Sequence, residues 1–239
     1  MWRNKTVAVI FPTSCASLIR EAILDFDSTG FIDEIIVVDN GTAEISDEIA
    51  GTRARIIKEK RQGYGVAIQT GIKATGADLI IIAEANGTFA GRDVTKLLAY
   101  SDDFETVFGS RTHVPLIKSG SGMSFLRRII DVFYGKLISL LFLCGPLTDV
   151  GCSLKITSRT GWRKVAGECK AKSTLFTTEW ILLAAKNKVR FTQIPVNFKS
   201  SRVKKATLMD DFLDQGVRAI VLFFYIMKVW FWARLGKRL

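Results

Sequence analysis

A carboxylate and a carboxamide stand two residues apart, at Glu84 and Asn86, after the apolar run within residues 77–89. The run is too short for most helices and indicates a buried strand, so the polar pair follows the carboxyl end of that strand. Ligands of open α/β sheets bind beyond these strand ends. The two side chains offer oxygen ligands to a hard cation such as Mg²⁺ or Mn²⁺. The alternative is a strand that ends in a plain Asn-Gly turn.

Two further acids are predicted at strand ends or edges. Asp39 ends an earlier apolar run, and Asp149 lies in a loop-and-strand segment within residues 148–156. Between them, Gly63 and Gly65 open a helical pattern whose N-terminal amides would face a phosphate. A single Gly-x-Gly is a weak signal, because glycine at a helix start often marks only a tight turn.

Short apolar runs alternate with amphipathic stretches along the chain. Strands are predicted at residues 7–11, 34–39, 53–58, within 77–89, at 105–111, within 148–156 and at 189–198. Helices are predicted at residues 15–26, with Ser14 as N-cap, and at 44–50, 63–75, 92–102, 125–144 and 176–188. This rhythm favours an α/β fold with a parallel, doubly wound sheet.

The composition is that of a globular chain with a basic balance. Of the 239 residues, 48% are hydrophobic, and the net charge of +11 favours phosphorylated substrates, anionic lipid headgroups or nucleic acid as partners. No nucleic-acid recognition motif is present, so nucleic acid is not expected as a partner. The four cysteines lack metal-ligand spacing and are expected to be reduced, as in a cytosolic compartment.

Two segments do not follow the alternation. Residues 112–122 lack periodicity and are either a lid or a plain surface excursion. Residues 219–233 are apolar and aromatic except for Lys228. Because a span needs roughly 20 apolar residues, this run is expected to lie in a membrane interface. The alternative is a helix that packs on the domain or joins copies of the chain.

Six short motifs occur in a characteristic order. They are Phe11-Pro12-Thr13-Ser14, Val37-Val38-Asp39-Asn40-Gly41-Thr42, Arg61-Gln62-Gly63-Tyr64-Gly65-Val66-Ala67 with Gly71, Gly109-Ser110-Arg111, Thr148-Asp149-Val150-Gly151-Cys152, and Ile194-Pro195-Val196 with Arg202. In this order the chain resembles the GT-A glycosyltransferases of family 2, and most closely the polyprenyl-phosphate sugar synthases. The likeness covers residues 5 to about 206. Each motif is weak by itself, whereas their order and spacing together are specific.

The resemblance implies a GT-A fold, a Rossmann-like and mostly parallel sheet flanked by helices, over residues 1–206. A C-terminal membrane-interface helix would follow over residues 207–239. The positions matching the family's nucleotide-binding residues are Pro12, Asp39, Gly63, Gly65 and Glu84. Glu84 and Asn86 would also hold Mg²⁺ or Mn²⁺.

Two departures from the family pattern concern the same site. The Asp-x-Asp metal motif is Glu84-Ala85-Asn86 in this chain, and the first-strand turn has Ser14-Cys15-Ala16 where Tyr-Asn-Glu is usual. The loss of one carboxylate is expected to weaken divalent-metal affinity. The departures fit either a divergent active enzyme or a pseudoenzyme. The retained Asp39, Arg111 and Asp149 favour an active enzyme.

The resemblance implies transfer of a sugar from a UDP- or GDP-linked donor to a membrane polyprenyl phosphate, assisted by metal and with inversion. Asp149 and Arg111 are the expected catalytic residues, although Asp149 is alternatively a structural loop acid. Arg127, Arg128 and Arg202 would hold the acceptor phosphate, because arginine forms bidentate contacts with such oxygens. The alternative for Arg127 and Arg128 is a solvated or membrane-facing pair.

The expected location is the cytoplasmic face of a membrane, where the C-terminal helix would anchor the chain. Two other functions stay open on the sequence. One is a transferase of the same fold that uses a soluble glycan, with the C-terminal helix as a contact between copies in a homo-oligomer. The other is a non-catalytic, membrane-associated partner of a synthase complex.

Overall fold

The computed structural model describes residues 1–13, 18–41, 45–118, 121, 123–199 and 208–236, and in the last range it describes side chains from Gly216 onward. The strands of the described residues are β1 (Val7–Thr13), β2 (Glu34–Asp39), β3 (Arg55–Lys58), β4 (Leu79–Ile82), β5 (Thr106–Ser110), β6 (Lys155–Ser158) and β7 (Phe191–Pro195). The α-helices are α1 (Ile19–Asp27), α2 (Tyr64–Lys73), α3 (Asp93–Tyr100), α4 (Phe125–Phe142), α5 (Arg159–Ala166), α6 (Phe176–Lys186) and α7 (Leu208–Arg234).

The strands form one sheet in the order β3-β2-β1-β4-β6-β5-β7. All neighbouring pairs are parallel except those of β6, which runs antiparallel to both β4 and β5. Thr13 at the end of β1 pairs with Asp39 at the end of β2, and Ile10 pairs with Ile82 at the end of β4. Asp39 and the residues after Ile82 therefore emerge at the same edge of the sheet, on either side of β1. The predicted mostly parallel α/β sheet is confirmed.

Helices cover both faces of the sheet, which explains why β4 is wholly apolar and β1 nearly so. Alternate residues of β1 point to opposite faces, as the two-residue period of a strand requires. Val9 and Phe11 contribute to the core on the side of α1 and α3. Ile10 contributes to the core on the other side, where α2, α5, α6 and the inner faces of α4 and α7 pack.

Three details of the sequence-based element assignment are wrong. Residues 45–50 form turns instead of part of a helix at 44–50. Helix α5 was not predicted, because it is only eight residues long and mostly polar. The side chain of Ser158 caps it by accepting the N–H of Gly161. Helix α4 ends at Phe142, where Leu143 adopts a left-handed conformation, before the predicted stop at Gly145-Pro146.

The described part of the 112–122 segment is tied to the edge of the sheet. Val114–Leu116 is a short 3₁₀ helix, and the backbone N–H of Lys118 donates to the carbonyl of Phe198 at 2.9 Å. The N–H of Phe198 in turn donates to the carbonyl of Leu116 at 3.0 Å. These bonds hold the described part of the segment beside the end of β7. That the segment moves as a lid stays a prediction.

Helix α7 packs on the domain along one face. Leu222, Ile226 and Val229 are buried against it. Within the described residues, Gly216–Arg234 has a mean hydropathy of 1.5 and is long and apolar enough to cross a membrane by length and composition. The expectation that this run falls short of a span is therefore wrong on length. The division of the chain near residue 206 stays a prediction, and its boundary lies outside the described residues.

Candidate active site

A cleft of about 430 Å³ opens at the carboxyl edge of the sheet. Its walls come from the end of β1, the turn after β2 and the start of α2. Its lining residues are Pro12, Thr13, Asn40, Gly41, Gln62, Gly63 and Tyr64. Two of the predicted nucleotide-binding residues, Pro12 and Gly63, thus share one cleft, and Asp39 lies directly beneath it.

Local turns hold the walls of this cleft together. The buried Asp39 accepts the N–H of Gly41 at 3.1 Å, which closes the turn after β2. The side-chain amide of Asn40 donates to the carbonyl of Gly63 at 2.9 Å and ties that turn to the start of α2. The floor of the cleft is therefore built from backbone groups and short polar side chains.

The glycines at the start of α2 allow another segment to pack closely. Gly63 has φ +130°, and a Cβ there would lie 2.5 Å from the carbonyl oxygen of Lys172. A Cβ on Gly65 would lie 2.7 Å from the ring of Phe176 and closer still to the carbonyl oxygen of Ala171. The N–H of Gly65 donates to the carbonyl of Lys172 at 2.8 Å. The expectation that this amide faces a phosphate is therefore not met, and Gly65 has a packing role.

The Glu84 and Asn86 pair forms a compact hydrogen-bonded unit after β4. The amide of Asn86 donates to Oε2 of Glu84 at 2.6 Å, and its carbonyl oxygen accepts from the N–H and the hydroxyl of Thr88 at 3.1 and 2.6 Å. Asn86 is thus oriented with its oxygen toward Thr88. Glu84 is half-buried and keeps its other carboxylate oxygen, Oε1, without a hydrogen bond to the described residues.

This donor set fits a divalent cation only together with a substrate. Within the described residues, no three histidine, cysteine or carboxylate side chains group as a metal site. Mg²⁺ in phosphate-transferring sites is commonly bound by one or two carboxylates and completes its shell with phosphate oxygens and water. Glu84 supplies one such ligand, whereas Asn86 would first have to release Thr88.

A buried ion pair lies beyond the cleft, at the end of β5. Asp149 is fully buried, and both its oxygens accept from the guanidinium of Arg111 at 2.8 Å. Asp149 also accepts the backbone N–H groups of Arg111 and Gly151 at 2.7 and 2.9 Å. The side-chain oxygen of Gln193 accepts the N–H of Asp149 at 3.1 Å. Both predicted catalytic residues are therefore brought together, but they bind each other.

Further charges surround this pair. Asp131 on α4 lies 3.4 Å from the Arg111 guanidinium. A Cβ on Gly151 would lie 2.9 Å from Arg111 and 3.4 Å from Arg218 of α7. Together with Arg127 of α4, which interacts electrostatically with these groups, they form a cluster that we call the arginine network. It comprises Arg111, Arg127, Arg218, Asp131 and Asp149.

The pKa values in the arginine network follow from burial and pairing. Burial opposes ionisation of Arg111, but the Asp149 carboxylate outweighs it and raises the pKa of Arg111. Burial would raise the pKa of Asp149, and the Arg111 guanidinium lowers it below its usual range. Burial and Asp149 raise the pKa of Asp131 to about 6. Burial and Arg111 lower the pKa of Arg127.

Tyr64 connects the cleft to the arginine network. Its ring lines the cleft and its hydroxyl oxygen is buried. Burial and nearby Glu84 raise the pKa of Tyr64 well above its ordinary value, and Arg111 opposes that rise. Tyr64 is therefore a residue of the cleft that lies within electrostatic range of both Glu84 and Arg111.

Two predicted phosphate-binding residues are separated from this network or lie outside the described residues. Arg128 directly follows Arg127 in α4, but its guanidinium is stacked over the ring of Phe125 at 5.3 Å from the ring centroid. Arg202 lies outside the described residues. Of the three arginines predicted for the acceptor phosphate, the described structure brings Arg127 alone into the network.

Sequence reasoning missed three members of this region, namely Asp131, Arg218 and Lys155. Asp131 is the sole acid of α4, and Arg218 is a single cation at the start of the apolar part of α7. These isolated charges within apolar helices were the available signal. Lys155 on β6 is fully buried, lies over the rings of Phe108 and Trp180 at 5.6 and 5.3 Å, and has no hydrogen-bond partner among the described residues.

The sequence profile of glycosyl transferase family 2 matches residues 9–130, just over half of the chain. The chain is 23% identical to a low-salt glycan biosynthesis hexosyltransferase of Haloferax volcanii over 81% of its length, and 26% identical to human dolichyl-phosphate beta-glucosyltransferase over 78%. It spans 48% and 62% of these two relatives.

The fold is also similar to a solved structure. Glucosyl-3-phosphoglycerate synthase from Mycobacterium tuberculosis, crystallised with Mn²⁺, UDP and glucosyl-3-phosphoglycerate, matches with a TM-score of 0.69 and 15% identity. The match covers 93% of this chain and 80% of that one. At this identity the similarity establishes the fold and leaves the substrates open.

Proposed function

Because this chain belongs to glycosyl transferase family 2, we propose that it transfers a hexosyl group from a nucleotide sugar to a polyprenyl phosphate at a membrane surface. The relatives named as a hexosyltransferase and a dolichyl-phosphate beta-glucosyltransferase support this choice of donor and acceptor. The observation that carries the proposal is that Tyr64, which lines the cleft, lies within electrostatic range of both Glu84 and Arg111, a member of the arginine network. A diphosphate and an acceptor phosphate need such neighbouring sites.

The donor nucleoside occupies the cleft in this proposal. Asp39 and Asn40 border it with fixed polar atoms, and the missing Cβ of Gly63 lets Lys172 pack against the start of α2 beside it. UDP is our first choice of nucleotide because the solved neighbour was crystallised with it. Gly65 supports the cleft by packing.

A divalent cation, Mn²⁺ or Mg²⁺, would be held by Glu84 and the donor diphosphate. When bound, it would neutralise charge on the departing diphosphate. Among the described residues nothing bonds to Oε1 of Glu84, which leaves it for this purpose, whereas Asn86 serves to orient Glu84 through its 2.6 Å hydrogen bond. We therefore propose Glu84 as the protein's anionic ligand and Asn86 as its support.

The transfer itself needs no general base when the acceptor is a phosphate monoester. An acceptor oxygen that is already anionic forms the bond to the anomeric carbon, while the bond from that carbon to the diphosphate oxygen breaks and its electron pair leaves with the nucleotide. A single displacement of this kind inverts the configuration at the anomeric carbon. A mechanism without a general base fits this site, because Asp149 is paired with Arg111 and Glu84 lies on the donor side.

The acceptor phosphate is held by arginines in this proposal. Arg127 borders the arginine network from α4, and Arg218 approaches the same point from α7. Arg128 and Arg202 remain proposed contributors. Arg111 and Asp149 use their charged groups to bind each other, so we assign them a positioning role. Their ion pair holds the loop after β5 in place and sets the electrostatic surroundings of Arg127.

The proposal is tested with the purified full chain, Mn²⁺ or Mg²⁺, a panel of UDP- and GDP-linked sugars, and polyprenyl phosphate in detergent micelles. We expect release of one nucleotide and glycosylation of the lipid. Glu84→Gln should reduce turnover at least about 100-fold if it removes the anionic ligand, whereas the exposed Glu48→Gln should not change it. Release of nucleotide only with a soluble glycan would replace the acceptor.

A non-catalytic partner is the second candidate, and the orientation of Asn86 toward Thr88 favours it. Titration calorimetry of UDP with and without Mn²⁺ separates the two. An enzyme should bind UDP more tightly with the metal, and Glu84→Gln should abolish the difference. Binding that ignores the metal, together with no nucleotide release, would support the non-catalytic partner.

A further inference from the structure

Helix α4 presents an exposed apolar stripe to the outside of the domain. Its members recur every three or four residues, which places them on one face of the helix. They are Phe125, Ile129, Phe133, Leu140 and, one residue past the helix end, Leu143. The opposite face, with Asp131, Tyr134 and Ile138, is buried. A helix that packs on a domain normally exposes polar residues on its outer face, so this stripe needs a partner.

Helix α7 presents a second stripe of the same kind. Its exposed apolar residues also recur at helical spacing, opposite the face formed by Leu222, Ile226 and Val229. They are Val217, Ile220, Val221, Phe224, Phe231 and Leu235. The two helices together carry most of the large hydrophobic side chains that the described residues expose.

The two stripes lie side by side. The hydroxyl of Tyr134 donates to the carbonyl of Ala219 at 2.6 Å, and the indole N–H of Trp230 donates to the carbonyl of Leu141 at 3.1 Å. From the first contact to the second the residue number rises on both helices, so α4 and α7 are parallel neighbours. Since each buries its inner face, their stripes form one outer surface, which we call the α4–α7 face.

The charges on the α4–α7 face are all positive. Each stripe contains one exposed lysine in its middle, Lys136 on α4 and Lys228 on α7. Within the described side chains of the two helices the sole acid is Asp131, which is buried. Lysine can lay its aliphatic stem along an apolar surface and keep its ammonium group at lipid phosphates.

A lipid surface fits this face better than a second copy of the chain does. An isologous dimer would bring the same patch against itself and set its unpaired lysines in a shared apolar interface. A helix crossing the bilayer would place Lys228 within the hydrocarbon, which is costly. Helices that lie in the interface avoid both costs, because their cations meet anionic headgroups.

We propose that α4 is a second membrane-contacting helix, and that the α4–α7 face lies in the plane of an anionic bilayer. This membrane contact rests on the proposed function, because a lipid acceptor is what would bring the chain to a bilayer. Arg127 lies in the first turn of α4, and Arg218 lies at the start of the part of α7 whose side chains are described; both belong to the arginine network. A phosphate at the level of the lipid headgroups would therefore reach the network along the same face.

The test is co-flotation of the full chain with vesicles of phosphatidylcholine, either alone or mixed with phosphatidylglycerol. Phe133→Asp on α4 and Phe224→Asp on α7 should each weaken binding to the mixed vesicles by about tenfold or more, as expected for the loss of one buried large apolar side chain. Leu24→Asp on α1 and Tyr100→Asp on α3 are matched controls, because both residues are exposed and apolar. They should float like the unchanged chain.

Each outcome bears on the role of α4. Equal losses of vesicle binding for Phe133→Asp and Phe224→Asp would support membrane contact by α4. A loss of binding for Phe224→Asp alone would overturn it. A dimer in light scattering that dissociates with Phe133→Asp would instead identify a second copy as the occupant and overturn the membrane assignment. Flotation requires no turnover, so failure of the glycosyl-transfer assay would leave this result readable by itself.

Discussion

Two regions of the proposed site are built in different ways: the donor end, which is the cleft with Glu84, and the acceptor end, which is the arginine network. At the donor end most of these side-chain bonds join groups close in sequence, Asp39 with Gly41 and Asn86 with Glu84, whereas the bond from Asn40 to Gly63 spans 23 residues. At the acceptor end the decisive contacts join distant segments, as between Arg111 and Asp149, or between Arg111 and Asp131 of α4. Backbone shape therefore defines the first region, and paired charges define the second.

This difference determines what each region tolerates. A cleft made of turns survives many side-chain changes but depends on its glycines, because added atoms collide with backbone. A buried charge network depends on its directly paired members, because the loss of one leaves the other without its partner. Four changes test this contrast, and we give them in the order of their expected effect.

Replacing Arg111 by methionine should have the largest effect. Asp149 would keep two backbone N–H donors but lose its cation, and breaking a buried ion pair costs about 3–5 kcal/mol. Urea denaturation measures the loss. The control is Arg128→Met, which removes a half-buried arginine stacked on Phe125 and should cost less than about 1 kcal/mol. Equal losses in the free energy of unfolding for the two variants would mean that the buried Arg111–Asp149 pair contributes no more to stability than the Arg128–Phe125 contact.

Lys155→Met should stabilise the protein, and the gain should depend on pH. Burial lowers the pKa of Lys155 from 10.5 to about 8. A base with a lowered folded-state pKa favours folding in its neutral form, so its contribution is present above pH 10.5 and is lost as the pH falls through 8. The difference corresponds to about 3 kcal/mol.

We therefore expect Lys155→Met to be more stable than the unchanged chain at pH 7, and the advantage to shrink toward pH 10. Thermal unfolding across this range measures it. A pH-independent difference would mean that Lys155 keeps its charge in the fold without cost. The rings of Phe108 and Trp180 would then supply the compensation.

The sequence predicted the donor end more completely than the acceptor end. The apolar runs and the turns that follow them are local signals, so β1, β2 and β4 and the shared edge of Asp39 and Glu84 were correctly expected. The family-like motifs also located Pro12 and Gly63, which line the cleft. What remained hidden was the direction of single groups, such as the Gly65 amide that bonds to Lys172.

The acceptor end could not be assembled from the sequence. Arg111 and Asp149 were both predicted as catalytic residues. They lie 38 residues apart in the sequence, and their ion pair occupies the groups that were expected to act on the substrate. Asp131 and Arg218 join them only because α4 and α7 pack side by side. Periodicity predicts that a helix exists, and it does not state which neighbour the helix will have.

Gly65→Ala should have a moderate effect on stability and on the donor end. A methyl group there would collide with the carbonyl of Ala171 and the ring of Phe176, and such overpacking costs about 1–3 kcal/mol. We also expect weaker UDP binding in titration calorimetry. Gly76→Ala is the matched control, because a Cβ at Gly76 meets nothing within 4 Å. If both variants were equally stable, the close approach of residues 171–172 to α2 would not be required for the fold.

Arg218→Gln should have the smallest effect, and it is confined to the acceptor end. Arg218 lies at the arginine network without the bidentate pairing that Arg111 has, so its loss should leave the unfolding free energy nearly unchanged. It should raise the KM for polyprenyl phosphate about tenfold, which corresponds to about 1.4 kcal/mol of lost phosphate binding, and leave the KM for the nucleotide sugar as it was. Arg234→Gln, at the far end of α7 and stacked on Trp230, controls for a general loss of charge on this helix. A change in the KM of the donor instead of the acceptor would contradict the division between the two ends, because it would connect α7 to the cleft.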